Sequence, residues 1–143
     1  MPVVDFNVGK WVKAILTADQ GVKALVAARI YPVTINLATD YPAITYRRVG
    51  VDTPGTVKGL AGILRPIVRI NGWDKEYDSA CAVVSAVLEA LKDGGSIARQ
   101  PQASGLKVGT VLAQGAGDEF FAPNDASKDF LYGPFVDFLI SYQ

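Results

Sequence analysis

The sequence contains no histidine and only one cysteine in 143 residues. Without an imidazole, the usual serine and cysteine triads lose their general base, and metal sites that use histidine cannot form. The single cysteine, Cys81, cannot form an internal disulfide, so we expect a small core residue in a protein of a reducing compartment. A serine–lysine or carboxylate mechanism stays open. The composition therefore narrows the possible enzyme classes without excluding all of them.

The chain also lacks an excess of charge of either sign and a long hydrophobic run. Fourteen basic residues balance fourteen acidic ones, which argues against a general basic surface for nucleic acid. No stretch reaches the roughly 18 apolar residues of a membrane-spanning helix, and the N-terminus lacks the pattern of a signal peptide. We therefore predict no membrane partner, and the neutral surface suits a protein that is part of an assembly.

Hydrophobic residues make up 50% of the sequence, enough for residues 1–143 to form one domain without a disulfide or metal. Residues 64–91 are its predicted centre. Residues 64–73 alternate apolar with polar side chains, which predicts a half-buried strand. Asp74 is predicted to cap the following helix, and a pair of glycines at 94–95 to end it. The apolar stripe of that helix is Tyr77, Ala80, Cys81, Val84, Val87, Leu88 and Leu91.

The other segments predict two more helices and further strands. A first helix follows from the spacing of Val8, Trp11, Val12, Ile15 and Leu16, and a shorter one from Val22, Leu25 and Val26. Residues 41–49, a segment that begins at residue 106, and residues 135–142 have strand character. We expect residues 115–132 to be irregular, with Phe120 and Phe121 anchored on the core. The predicted fold class is α+β, a mostly antiparallel sheet of about four strands with helices packed on one face.

A glycine-rich segment, residues 52–62, links the first of these strands to the central one. It contains three glycines and one proline, and loops of this length usually contact something or are disordered. We predict a hairpin with a mobile tip that serves as an assembly loop. Lys58 would supply a charge and Leu60 an apolar anchor when a partner orders the loop.

Two short motifs suggest a nucleotide site. Residues 55–59 lack the spacing and the strand–loop–helix order of a P-loop. Residues 116–120 resemble the signature hairpin of diguanylate cyclases, but the second acidic motif of that family does not occur upstream. Asp74 and Asp78 fit a helix start, where acidic residues are stabilising without any catalysis. A small bacterial binding domain or enzyme that uses residues 115–123 remains the alternative.

A resemblance that covers nearly the whole chain favours a different function. It rests on the order and spacing of the N-terminal helix and of six further segments. Those segments are residues 24–26, 29–32, 41–46, 68–73 with the helix that follows, 118–123 and 135–138. In this order they resemble small phage tail-completion or tail-terminator proteins.

The resemblance implies a structural role in the virion tail. Such proteins are similar to tail terminators that form a homo-hexameric ring on the end of the tail tube and stop its polymerisation. The implied partners are further copies of the chain, the tail tube protein and the head–tail connector protein. DNA would meet the ring only by passing through its lumen, and assembly would take place in the host bacterial cytoplasm. The family offers no catalytic, cofactor-binding or metal-binding residue to transfer, so no enzymatic activity and no cofactor are expected.

The distribution of charge along the chain fits such a ring. The basic set is Arg47, Arg48, Lys58, Arg65 and Arg69, against the single acid Asp52. The acidic set is Asp118, Glu119, Asp125, Asp129 and Asp137, against the single base Lys128. A head-to-tail contact joins two different surfaces of the same protein, so patches of opposite charge would suit it. The alternative is that both sets are ordinary solvated faces.

Overall fold

The computed structural model describes residues 8–34, 40–52, 55–56, 59–60, 65–91, 108–121 and 130–142. Within these ranges the chain forms three helices and seven strands. The helices are α1 (Val8–Ala18), α2 (Gln20–Val26) and α3 (Tyr77–Leu91). The strands are β1 (Ile30–Pro32), β2 (Ala43–Asp52), β3 (Gly55–Thr56), β4 (Gly59–Leu60), β5 (Arg65–Trp73), β6 (Val108–Phe121) and β7 (Leu131–Tyr142).

Five of the strands form one sheet in the order β1-β2-β5-β7-β6. β1 is parallel to β2, and the other neighbours are antiparallel. β3 and β4 pair with each other in a separate hairpin between β2 and β5. The predicted α+β class and mostly antiparallel sheet are confirmed, with a fifth strand because residues 30–32 add a short parallel edge. In the described ranges no helix has the length and apolar character needed to cross a bilayer.

The first two helices form where the apolar spacing predicts them. All five apolar residues predicted for α1 are buried. α2 begins at a capping residue, Asp19, whose Oδ1 accepts a hydrogen bond from the Val22 N–H at 3.0 Å. Ala27, with a φ of 51°, ends the helix. Leu25 is 38% exposed, so α2 buries a narrower face than predicted.

The start of α3 differs from the prediction that Asp74 caps it. The helix begins at Tyr77. The Asp74 carboxylate accepts a hydrogen bond from the neighbouring Lys75 N–H at 2.7 Å, and its backbone pairs with that of Tyr132. Asp74 therefore joins the end of β5 to the start of β7 and does not bond to the first turn of the helix in the way a cap does.

The face that α3 buries is also shifted from the predicted stripe. Tyr77 is 43% exposed and Cys81 is only half-buried, so neither is a core residue. The residues of α3 that are buried are Ala80, Val83, Val84, Val87, Ala90 and Leu91. A Cβ on Gly72 of β5 would lie 2.9 Å from the Ala80 carbonyl oxygen and 2.9 Å from Val83 Cγ1. The helix can therefore approach β5 this closely only because Gly72 has no side chain.

The core lies between the three helices and one face of the sheet. Its largest fully buried side chain is Trp11, from α1. Alternate residues of the strands point into it, because successive side chains of a strand point to opposite faces. The strand residues of this core are Ile30, Ile44, Val68, Ile70, Val111, Val136, Phe138 and Ile140.

β6 and β7 are long antiparallel neighbours, and the prediction that residues 115–132 are irregular is wrong for residues 115–121 and 131–132, whereas residues 122–129 lie outside the described residues. β6 continues to Phe121 and β7 begins at Leu131. Phe120 and Phe121 do not anchor on the core, since they are 70% and 49% exposed. Residues 113–117 are small or polar and show no apolar alternation, so the pairing with β7 determines this strand. Register shifts at 108–110 and 113–115 interrupt the pattern further.

Candidate interaction face of the sheet

The sheet face opposite the helices carries polar and aromatic side chains, and we call it the open face. Alternation along the strands places there every second residue of β2, β5 and β7, those that do not enter the core. Thr45 and Asn71 are only 4% and 2% exposed, although they lie on this face. The open face includes Thr45, Arg47, Arg69, Asn71, Trp73, Glu119, Phe135 and Asp137.

A charged cluster crosses the middle of the open face. The Arg69 guanidinium donates two hydrogen bonds to Asp137, from Nε to Oδ1 at 2.8 Å and from Nη2 to Oδ2 at 3.1 Å. Its Nη1 lies 2.9 Å from Glu119 Oε1, and Arg47 Nη2 lies 3.6 Å from the same oxygen. The hydrogen bond to Asp137, more than any other contact, raises the pKa of Arg69. The cluster therefore links β2, β5, β7 and β6 through two arginines and two carboxylates.

Two aromatic rings on the open face lie over glycines of the next strand. The guanidinium of Arg69 stacks on Phe135, 3.9 Å from the ring centroid. A Cβ on Gly117 would lie 2.8 Å from Cζ of that ring. Trp73 covers Gly133 in the same way, at 2.6 Å from such a Cβ to Cε3. These glycines leave the space that the rings occupy, and the rings restore the burial that glycine cannot provide.

The Trp73 ring also helps to satisfy the buried polar groups beneath it. Its Nε1 donates a hydrogen bond to Thr45 Oγ1 at 2.8 Å. The side-chain amide of Asn71 donates to the Gly133 carbonyl at 2.9 Å. Both polar residues are buried, and a buried polar group without a partner would destabilise the fold. The buried side chains of Thr45 and Asn71 therefore both have hydrogen-bond partners at this end of the open face.

An apolar depression of about 200 Å³ lies beside Trp73. Val33 at its rim is 67% exposed and has a φ of 65°, a conformation that a β-branched residue rarely adopts. Burial raises the pKa of the Tyr41 phenol, and the charge of Lys75 partly offsets this rise. The depression is lined by Val33, Thr34, Tyr41, Thr45, Trp73, Phe121 and Leu131. Its chemistry suits an apolar side chain better than a polar substrate.

A second group of residues lies on the helix side of β6. The Tyr77 hydroxyl donates a hydrogen bond to Asp118 Oδ1 at 2.8 Å, and this bond raises the pKa of Tyr77. The Tyr77 and Tyr132 rings meet edge to face, with centroids 5.9 Å apart. Next to them, α3 and β6 border a groove of about 390 Å³. It is lined by Cys81, Val84, Ser85, Leu88, Ala116, Gly117, Asp118, Pro134, Phe135 and Val136.

The residues predicted to form an interface are divided between the two faces. Arg47, Arg69 and Glu119 come together on the open face, whereas Asp118 lies on the helix side. Arg48 is half-buried and stands opposite Val68 of the core. Lys58, Asp125 and Asp129 lie outside the described residues, as do the side chains of Leu60 and Arg65. Part of the predicted charge separation is thus paired within one chain, and the interface role of these residues stays a prediction.

The chemistry of a nucleotide cyclase finds little support in this geometry. Residues 116–120 lie within β6 and not at a hairpin turn. Asp118 is bonded to Tyr77 and Glu119 to Arg69. Within the described ranges no three histidine, cysteine or acidic side chains are grouped so as to hold a metal ion. The two carboxylates are therefore explained by structural contacts.

No local pattern in the sequence indicates the ring-over-glycine contacts of Trp73 and Phe135. Their glycine partners are 60 and 18 residues away in the chain, at Gly133 and Gly117, and only the strand register brings them together. The polar side of the central strand was visible in the alternation of residues 65–73, and that signal does identify one row of the open face.

Both the sequence and the fold of the chain are similar to those of known proteins. The profile of the family described as "Tail completion protein gp17" matches residues 11–110. A solved structure titled "Virion of native gene transfer agent (GTA) particle" contains a chain of similar fold, with a TM-score of 0.61 and 14% sequence identity over 92% of each chain. No curated sequence matched. The likeness in structure therefore concerns the fold, and the family match concerns the sequence itself.

Proposed function

The chain belongs to the tail completion protein gp17 family and is a structural protein of the virion tail, and from this premise we propose that six copies form a ring that caps the tail tube. The ring ends polymerisation of the tube and joins it to the head connector. Its partners are further copies of the chain, the tube protein and the connector protein. DNA meets it only in passing through the lumen, and assembly takes place in the host bacterial cytoplasm.

The observation that carries this proposal is the family match over residues 11–110, from α1 to the start of β6. The chain of similar fold supports the same setting, since its title places it in the virion of a gene transfer agent. Both comparisons favour a virion component over the alternative of a small bacterial binding domain or enzyme that uses residues 115–123.

A ring also requires that two different surfaces of one chain meet. The helix side of the β6–β7 hairpin end offers one such surface, because the paired residues Phe120 and Tyr132 are 70% and 38% exposed. Exposed aromatic side chains close together are typical of protein interaction sites. The apolar depression beside Trp73 offers a concave surface of the complementary kind.

Charged residues contribute to the same contact in this proposal. The basic surface comprises Arg47, Arg48, Lys58, Arg65 and Arg69, with Leu60 as an apolar anchor. The acidic surface comprises Asp118, Glu119, Asp125 and Asp129. Because Arg69 is already paired with Asp137 and Glu119, it would contribute less than the other basic residues. Charges of this kind mainly determine which partner binds and how fast.

Tails made without the chain test the proposed role. We expect tubes of irregular, extended length that fail to join heads, and normal virions when the wild-type chain is supplied in trans. Electron microscopy of the completed tails should show one six-fold ring between tube and connector. Normal tail length without the chain, or a single copy at the tube end, would contradict the proposal.

We propose further that the chain catalyses no reaction. Incubation with nucleoside triphosphates and a divalent metal should give no product above background. If the wild-type chain forms product and the Asp118→Ala, Glu119→Ala double variant does not, the enzyme alternative is favoured instead.

A further inference from the structure

The two edges of the five-stranded sheet differ in whether another strand can pair with them. At the β1 edge, the outward groups are used locally. The Ile30 N–H donates to the Ala28 carbonyl at 2.9 Å, and the Thr34 N–H donates to the Pro32 carbonyl at 2.7 Å. Pro32 has no N–H of its own, and the strand is three residues long. This edge is closed in the way that proteins usually protect sheet edges.

Among the described residues, no strand pairs with the outer edge of β6, and no register shift interrupts β6 from Gly115 onward. β6 is 14 residues long and is the last strand in the described sheet order, and residues 108–117 carry no charge. Leu112 is 52% exposed, and a Cβ on Gly115 would meet nothing within 4 Å. The acids Asp118 and Glu119 are hydrogen-bonded within the chain. Residues 115–121 pair with β7 in unbroken register, so this part of β6 is a template for a further strand.

Depressions flank the same edge on both faces of the sheet. The groove of about 390 Å³ lies on the helix side, beside Ala116 and Leu88. The depression of about 200 Å³ lies on the open face, beside Phe121 and Trp73. A strand added to a sheet edge directs alternate side chains to the two faces, and pockets there give such pairing its specificity. The β6 edge thus offers backbone pairing together with sites on both sides for side chains.

We propose that the β3–β4 hairpin of a second copy of this chain pairs with the β6 edge. This contact rests on the proposed ring. Because the β1 edge is closed, β6 of one copy cannot pair with β1 of the next to form a continuous sheet. Pairing of β6 with β6 would give a two-fold dimer, which cannot extend to a ring of six equivalent contacts. A contact between two different elements, hairpin and edge, satisfies the ring.

The hairpin itself favours this partner. β3 and β4 form a two-stranded sheet of their own, and a hairpin of two strands is marginally stable until a third strand or other packing supports it. Residues 55–65 contain two bases, Lys58 and Arg65, and no acid. The end of β6 carries Asp118, whose hydrogen-bond partner, the Tyr77 hydroxyl, is uncharged, so the two elements have opposite charge.

Disulfide mapping in assembled virions tests the contact. In a Cys81→Ser background, Gly115→Cys is combined with a cysteine at position 55, 56, 59 or 60 in turn, and virions are oxidised mildly. We expect at least one pair to give a ladder of covalent oligomers up to six copies. The control combines Gly115→Cys with Thr34→Cys, on the closed edge, and should remain monomeric. Three results would overturn the inference. They are dimers from Gly115→Cys alone, cross-links only to the tube protein, and the absence of a ladder from every pair.

A second pair of variants keeps the test independent of cysteine geometry. Leu112→Lys adds a charge to the β6 edge, where it should reduce virion yield by about tenfold or more. Leu25→Lys, on the exposed side of α2, should leave the yield unchanged. Normal yield from Leu112→Lys would contradict the pairing. If six-fold rings form without any hairpin–edge cross-link, the pairing is wrong and the proposed function stands, whereas absence of rings in wild-type tails contradicts both.

Discussion

Arg69 of β5 and Asp137 of β7 stand directly opposite each other across the sheet and form a two-pronged ion pair, at 2.8 and 3.1 Å. The same guanidinium reaches Glu119 of β6 and stacks on Phe135. A single side chain therefore ties the outer strand β6 to the centre of the sheet. This arrangement stabilises the edge at which we propose that a neighbouring copy binds.

Replacing Arg69 should destabilise the fold more than replacing Arg47. Arg69→Met leaves Asp137 without its two-pronged partner and removes the stacking on Phe135, and we expect a loss of about 1–3 kcal/mol. The Arg47 side chain is 43% exposed and its ion pair with Glu119 is 3.6 Å long, so Arg47→Met should cost about 0–1 kcal/mol. Urea unfolding of both variants measures the difference. Equal losses would show that the stacked ion pair has no special role.

Glycines beneath aromatic rings should not accept a methyl group. Gly117→Ala and Gly133→Ala would place a Cβ against Phe135 and Trp73, and we expect each to lower the free energy of unfolding by about 1–3 kcal/mol through overpacking. Gly115→Ala is the matched control on the same strand, because its Cβ would meet nothing within 4 Å. Thermal unfolding compares the three. A control as unstable as the others would point to backbone effects of glycine in β6 and not to the rings.

The Tyr77 phenol should titrate at higher pH than an ordinary tyrosine. Its pKa is raised from 10.0 because the hydroxyl donates to the Asp118 carboxylate, and ionisation would lose that bond and bring two negative charges together. The stabilisation is present below about pH 10 and is lost as pH rises through the folded-state pKa. NMR titration of ring-labelled tyrosine should show the Tyr77 pKa fall in Asp118→Asn, whereas that of Tyr46, which burial raises, should not change. If the Tyr77 pKa is the same in Asp118→Asn as in the wild type, the hydrogen bond to Asp118 does not cause the shift.

Much of the helix face could be predicted from the sequence, because helices bury residues at a fixed period. The five apolar residues of α1 are all buried as predicted. α3 departed from its predicted stripe because Gly72 of β5 lets Val83 approach the sheet, and this long-range contact is not visible in the local pattern. Cys81 is accordingly half-buried and not a core residue.

The open face was harder to predict, since it depends on which strand residues stand opposite each other. β6 passes through small residues at 113–117 and two register shifts, so periodicity gave no indication of its length. Phe120 and Phe121 were predicted as core anchors on hydrophobicity alone, but at the end of an edge strand they are exposed. The sequence places the charges of Arg69 and Glu119 in separate patches, because these two residues are 50 positions apart in the chain and only the fold brings them together.

Shortening the glycine-rich segment should separate folding from assembly. Replacing residues 55–62 by a two-residue Asn-Gly turn shortens the link between β2 and β5. The pairing of these strands brings Asp52 opposite Arg65, and an Asn-Gly turn is well suited to connect two antiparallel strands. We therefore expect unchanged or slightly higher thermal stability, since fewer residues are ordered on folding. The same variant should fail to form rings, because it lacks the β3–β4 hairpin and Lys58. Tail length and head joining in complemented particles measure this failure. The matched control is Val57→Ser, which keeps the length of the segment, Lys58 and both short strands, and it should retain most of the virion yield. Normal tails from the shortened chain would show that this segment is a passive hairpin tip.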